Sequence, residues 1–512
     1  MKKNMIKYGF LSLLLATSLV GCSDFMDNEQ RGVTTVDNFY KTDAEVTEGL
    51  YAIYNRVQGD DLAQFRFKNL LSDECVGSGG SRGDDSQGEQ IAEFRFDADN
   101  TMISTMFTHY YRIIYNCNLL MERTTADDEV KTIAIAEAKA FRAYAYFELV
   151  TLWGPVPLVT QTLAAGNYAQ PNSTVDAIWA QIEKDLTEAI ADLPLKSQRS
   201  ATLKGNVCKG TAQAWLGKAY LYQKKYSEAA KMFDVVINSG EYALVSDFST
   251  ISKEAGEFSS ESLFEISYTN DLTVLTEGTS MVAYCGPRSP WFKAGTSGIS
   301  ETAWGWCGPS PESYKAFTEA GDTYRRNNTV INEQELISKY GGSLRQNGNL
   351  PYNNEGYVAF KYGSWVSETK GEAYHTVAGT NFRLLRYADV LLMAAEAYNR
   401  MSPADDQKAL GYINQVRKRA QMPDLTSTGD KLFADIKTER RLELCYEFVR
   451  FQDLIRWGDA ETVLKDKGKL VPRGDGTYIE NADAGFKERN KLLPFPYTEV
   501  SVNPNIQQNP GY

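Results

Sequence analysis

The sequence predicts a mainly α-helical protein of tetratricopeptide-like stacked helical hairpins, carrying long irregular loops and few short strands. Three observations predict it. Residues 136–159, AEAKAFRAYAYFELVTLWGPVPLV, place Phe141, Tyr144, Phe147 and Val150 at near-helical spacing, with small alanines between them. In AWLGKAYLYQKKYSEAAKMFDVVI, Leu216, Gly217, Tyr220, Ala229 and Phe233 fall at the tetratricopeptide offsets L-G-x2-Y…A-x3-F. From Glu241 to Ala378 the helical period fades into Gly-, Pro-, Ser- and Asn-rich sequence. A helix as apolar as the first must lie inside other helices, and a hairpin such as the second cannot bury its face without a neighbour.

Taken in order, Lys2, Lys3 and Lys7 precede an apolar run from Tyr8 to Val20, too short to span a bilayer. It ends in Leu19-Val20-Gly21-Cys22, small residues before a Cys, which is similar to a bacterial lipobox. Residues 1–21 are therefore expected to be a lipoprotein signal peptide, with Cys22 the acylated new N-terminus and residues 22–40 a tether and N-terminal segment. Several acyl chains give stable anchoring where one does not. Residues 41–512 are expected to form one body, with binding loops near 72–100 and 270–375.

Within that body, Asp43 to Tyr54 reads as a helix with an acidic first turn, and Leu70 to Asp99 as a long Gly/Ser/Asp-rich loop. Thr101 to Met121 returns to helix. The Ala136 helix stops after Trp153, because Gly154 opens left-handed backbone and Pro155 has no N–H. Ser173-Thr174-Val175-Asp176 caps another helix. A looser echo of the repeat spans Tyr387–Ala420, with Arg417, Lys418 and Arg419 at the negative end of the dipole. Leu263–Tyr268 and Tyr357–Phe360 read as strands, Asp435–Trp457 as one long helix, and the tail from Leu492 as extended.

Composition narrows function. Net charge is −12, and losing the three lysines of residues 1–21 takes it to −15, with no basic blocks, which argues against nucleic acid as a partner. Thirty tyrosines suit a recognition surface; two histidines, the lone His109 and His375, do not suit a His-based metal or triad site. Gly79-Gly80-Ser81-Arg82-Gly83 fits G-x-S-x-G but lacks the strand and helix that motif needs. Asp97-x-Asp99-x-Thr101 opens like a calcium loop, yet Met102 replaces the turn glycine and Thr108 the closing Glu. The residues therefore call for no metal and no cofactor. Of the six other cysteines, Cys117, Cys208 and Cys445 lie in apolar helical context and read as buried thiols, while Cys285 and Cys307 are the candidate disulfide pair.

The lipobox at Cys22, FRAYAYFELVTLWGPVPLV, ATLKGNVCKGTAQAWLGKAYLY, FRLLRYADVLLMAAEAYNR, ERRLELCYEFVRFQDLIRWG and LLPFPYTEVSVNPNIQQNPGY together resemble the SusD/RagB family of Bacteroidetes outer-membrane nutrient-binding lipoproteins. The segments lie in the family's order and cover the chain. The resemblance implies a tetratricopeptide-like scaffold tethered at the cell surface, a SusC-like TonB-dependent transporter as partner, a glycan or peptide as ligand, and no catalysis.

Binding is expected on two loops. The first offers Asp73, Arg82, Asp84 and Asp85 for hydrogen bonds, with Phe94 and Phe96 as apolar faces. The second crowds Tyr284, Arg288, Trp291, Trp304 and Trp306 into a Gly/Pro-rich stretch. Sugars present apolar C–H faces edged by hydroxyls, so flat rings rimmed by Asp and Arg suit them. Otherwise the rings pin the loop onto the helices, or face the transporter. A peptide ligand and a mainly structural lid are the alternatives; a glycoside hydrolase is a remote third, because among 66 acids no catalytic carboxylate pair can be picked out. Arg440, Arg441, Glu443, Glu447, Arg450, Asp453 and Arg456 are expected to knit the last helix to its neighbours by paired burial.

Overall fold

Asp128 opens the central helix by accepting a hydrogen bond from the Lys131 amide, and Gly154, at φ 75°, ends it after Trp153. The computed structural model describes residues 39–512 except 60, 272, 275–277, 364 and 370–377. The signal peptide, Cys22, most of the tether and His375 lie outside the described residues. The helices used below are α1 (Asp43–Gly59), α2 (Asp61–Leu70), α3 (Ser86–Ala92), α4 (Thr101–Arg123), α5 (Glu129–Trp153), α6 (Val175–Asp192), α7 (Lys209–Tyr222), α8 (Tyr226–Ile237), α9 (Met281–Cys285), α10 (Tyr387–Arg400), α11 (Asp406–Arg419), α12 (Gly429–Glu443) and α13 (Arg450–Trp457). Further short helices lie between Pro311 and Tyr340.

The scaffold is a continuous stack in which α4 packs on α5, α5 on α6, α6 on α7, α7 on α8, α8 on α10 and α10 on α11. At the α7–α8 hairpin, a Cβ on Gly217 would sit 2.6 Å from the Phe233 ring, so the repeat's glycine is there to let that ring lie against the helix. Three of the four charges in the apolar part of α5 are buried, and each has partners. Arg142 pairs with Asp185 of α6 at 2.7 Å and donates to Asn118 Oδ1 of α4 at 2.7 Å. Glu137 accepts from Tyr54 of α1 and from Arg199, and Glu148 pairs with Lys68 of α2 at 2.9 Å. The helix is thus joined to its neighbours by ionic contacts as well as by apolar packing. The C-terminal tail closes its end: Trp153 Nε1 donates to Pro494 O at 2.9 Å, and Asn509 Nδ2 to Trp153 O at 2.9 Å.

The strands are short antiparallel pairs, β1 (Cys75–Val76) with β3 (Gly308–Pro309), β2 (Ser262–Ile266) with β6 (Phe382–Arg386), and β4 (Val330–Asn332) with β5 (Tyr357–Ala359). A fourth pair joins Leu470–Pro472 to Tyr478–Glu480.

Three elements differ from the sequence reading. The stretch from Leu70 to Asp99 is not all loop, since it carries β1 and α3. The helix expected over Asp435–Trp457 is broken between Glu443 and Arg450, where Tyr446 and Phe448 take left-handed backbone at φ 64° and 54°. The break frees amides for distant partners: Tyr446 N donates to Glu74 Oε2 at 3.0 Å and Phe448 N to Asn69 Oδ1 at 3.3 Å. The basic turn of α11 also does more than face a dipole, because Arg419 is buried against Glu261 and Glu443, and Arg417 pairs with Glu439.

The broken segment is the hub of a buried ionic network. Arg386 reaches Glu261 at 2.7 Å, Glu443 at 2.5 Å and Glu447 at 2.7 Å. Arg325 pairs with Asp322, Glu439 and Glu443, and Lys361 with Glu447. Arg440 joins Asp389 to Asp453, and Arg456 joins Asp453 to Glu396. Removing one member of such a set strands buried charge. Arg386→Ala is therefore expected to destabilise the protein by about 3–5 kcal/mol, measured as a lowered urea midpoint at unchanged m-value.

Candidate functional site

Pairing of β1 with β3, Val76 opposite Gly308, brings the two sequence-predicted loops side by side. Ser78 Oγ then donates to Gly305 O, and Gly79 exchanges two backbone hydrogen bonds with Tyr352. Helix α9 holds the second loop from behind, with Trp304 N donating to Ala283 O at 2.7 Å and Cys307 N to Tyr284 O at 3.0 Å. Between the two tryptophans the chain must pass close to Arg288. Gly305, at φ 67°, does so where a Cβ would lie 2.9 Å from the Arg288 Cβ and 3.0 Å from its nitrogen.

The result is a trio of half-buried rings. Centroid separations are 5.1 Å for Tyr284–Trp304, 5.4 Å for Tyr284–Trp306 and 5.0 Å for Trp304–Trp306. Arg66 of α2, itself buried, lies with its guanidinium 5.0 Å from the Tyr284 ring and 5.5 Å from that of Trp306. Asp85 pairs with Arg66. Asp84 accepts from Trp306 Nε1 at 3.1 Å and from the Gly80 amide at 2.9 Å, and pairs with Arg288 at 3.1 Å. Arg288 in turn donates to Trp304 O at 2.9 Å. Arg66, Asp84 and Arg288 thus each meet a ring or its backbone, Asp85 holds Arg66, and the partly exposed Asp84 and Arg288 form a polar edge beside the rings.

Tyr284, Trp304, Trp306, Asp84, Asp85 and Arg288, all singled out in the sequence, are brought together here. Arg82 lies near them but is engaged by Glu93, by Glu89 at 3.2 Å and by the Tyr352 hydroxyl at 2.7 Å. Trp291 is half-buried and makes no ring contact with the trio. Asp73 is a correction. It is buried under Arg450 at 2.8 Å and Arg441 at 2.7 Å; burial pushes its carboxyl up, but the two guanidinium groups pull it below its usual value. Phe94 and Phe96 are corrections too, since both are fully buried. Phe94 sits edge-on to Phe486 at 5.4 Å and Phe96 stacks on Tyr512 at 6.3 Å, so neither offers a face to a ligand. Arg66 was not foreseen; it sits in a helix outside both loops, with no local signal.

Residues 260–512 match the SusD family model, and residues 24–221 match a model described as starch-binding associating with outer membrane. SusD-like protein P2 of Formosa agariphila is 30% identical over 542 residues, covering 99% of this chain and 100% of that protein. The chain belongs to the SusD family. A laminarin-binding SusD-like protein of known structure matches with a TM-score of 0.79 at 28% identity, covering 92% of this chain and 100% of that one. Surface glycan-binding protein A from Bacteroides thetaiotaomicron, solved in complex with laminarihexaose, matches with a TM-score of 0.77 at 24% identity, again over 92% and 100%, and bears on the fold alone. Among the described residues of this SusD family member, no helix is long and apolar enough to cross a membrane.

The expected Cys285–Cys307 disulfide is absent; both are free thiols, as are Cys75, Cys117, Cys208 and Cys445. The sulfurs are engaged as thiols instead, with a third beside the pair. β1 places Cys75 against Cys307, so Cys307 meets two thiols in one buried cluster, and burial pushes the Cys75 thiol up. A chain beginning after Cys22 should therefore leave its six thiols unreactive toward a thiol-exchange dye when native and release all six in urea. Only four reacting without reductant would restore the disulfide.

Proposed function

We propose that this protein is a cell-surface lipoprotein, anchored through Cys22, that captures an oligo- or polysaccharide on Tyr284, Trp304 and Trp306 and delivers it to a SusC-like TonB-dependent transporter. The observation that carries the reading is the ring trio itself. Three large aromatics kept half-exposed, in mutual contact and held by ionic partners, match the C–H face of a sugar, while Asp84 and Arg288 stand where hydroxyls would lie. The laminarin-binding relative supports the ligand class.

Binding without hydrolysis is part of the proposal. A glycosidase needs two carboxyl groups flanking the bond, one of them protonated. Asp84 and Asp85, the carboxylates that frame the rings, are each paired with an arginine, an arrangement that supports a role in holding the rings.

Affinity electrophoresis of the chain starting after Cys22, through gels holding plant, host and microbial polysaccharides, tests the proposal. Retardation by one glycan class is expected, and its loss in the Trp304→Ala/Trp306→Ala double variant with unchanged thermal unfolding. Retardation that survives the double variant would refute the platform, and none in any gel would refute polysaccharide capture.

A further inference from the structure

A second concavity, of about 470 Å³, shares no residue with the ring trio. One wall is α4, where Phe107, Tyr111, Ile114, Tyr115 and Asn118 follow one helical face. The second is the strap from Pro157 to Gln170 that follows α5, and the third is the C-terminal tail from Glu499 to Ile506. The walls are tied together. Tyr111 Oη donates to Pro157 O at 2.7 Å, Asn118 Nδ2 to Val159 O at 3.0 Å, Asn503 Nδ2 to Gln170 O at 2.8 Å and Asn505 Nδ2 to Ala169 O at 2.7 Å. The cavity is therefore pre-formed, and its volume falls within the roughly 300–1,000 Å³ of small-molecule sites.

Two features of the lining are unexplained by folding. Tyr115 and Tyr168 are 52% and 67% exposed, so their rings are left in water at the mouth. Glu499 is half-buried, its carboxylate makes no ion pair or side-chain hydrogen bond among the described residues, and burial pushes that carboxyl up. Hydroxyl donors would satisfy it. Most of the other polar lining, Gln161, Thr162, Gln170 and Asn503 among it, is uncharged amide or hydroxyl, which suits a ligand offering donors and acceptors without net charge.

We infer that this concavity is a second carbohydrate site that takes the end of a neutral sugar chain, with Tyr115 and Tyr168 against its C–H face and Glu499 accepting from its hydroxyls. The site goes beyond the ring platform and can fail or hold independently of it.

The test is saturation-transfer NMR on the lipid-free Trp304→Ala/Trp306→Ala chain with glucose, galactose, mannose, xylose and N-acetylglucosamine at millimolar concentration. Transfer to at least one sugar is expected. It should weaken about tenfold with Tyr168→Ala, the loss of one ring contact, and also with Glu499→Gln, at unchanged thermal unfolding. No transfer from any sugar in this background, transfer indifferent to Tyr168→Ala, or transfer seen only with a cationic amine control would overturn the site. Failure of the platform reads out separately, as polysaccharide retardation that the tryptophan variants do not change.

Discussion

Glu443 is the constraint on which the rest of the structure depends. Its carboxylate is fully buried and takes charge from Arg325, Arg386 and Arg419, three residues far apart in the chain. Desolvating such a group costs several kcal/mol, and only convergence of several cations offsets that. Convergence has a geometric price. β6 must end where Arg386 points inward, α11 must end at Arg419, and α12 must stop at Glu443 so that Glu447 also faces Arg386. The irregular half of the molecule is thereby locked to the helical half. The same seam extends through Asp73, buried beneath Arg450 and Arg441 at the root of the first loop.

From that root the ring platform is positioned by short-range contacts. Asp73 O accepts from Ser310 Oγ, β1 runs beside β3, and Ser78 reaches Gly305 between the tryptophans. Arg66, Asp84, Asp85 and Arg288 then orient the rings from below and beside. A binding surface whose side chains are already fixed loses little entropy on capturing a ligand. Charged residues around the rings thus serve order first and contact second.

Much of the scaffold was legible because local pattern and tertiary role coincide. The α5 stretch is apolar on nearly every side since it is enclosed, and Gly217 and Phe233 keep repeat spacing because one makes room for the other. The ring trio was legible because large aromatics in a Gly/Pro-rich loop have few places to hide. What misled were residues whose roles depend on remote partners. Phe94 and Phe96 look like loop aromatics, yet Phe486 and Tyr512 cover them. Asp73 looks like a ligand contact, yet its arginines lie in α13 and at the end of α12. The break after Glu443 has no glycine or proline to announce it; tertiary hydrogen bonds to Tyr446 and Phe448 impose it.

The pairing of Asp73 with Arg450 spans 377 residues. Contacts so distant in sequence are slow to form, because loop closure must be paid for before they reward the chain. The helical hairpins can assemble from neighbours as synthesis proceeds, but the base of the ring platform cannot be completed until α12 and α13 exist. The root of the ring platform is thus late to become native, and a truncated chain lacking its C-terminal quarter would carry every platform residue without the arginines that anchor Asp73 beneath them.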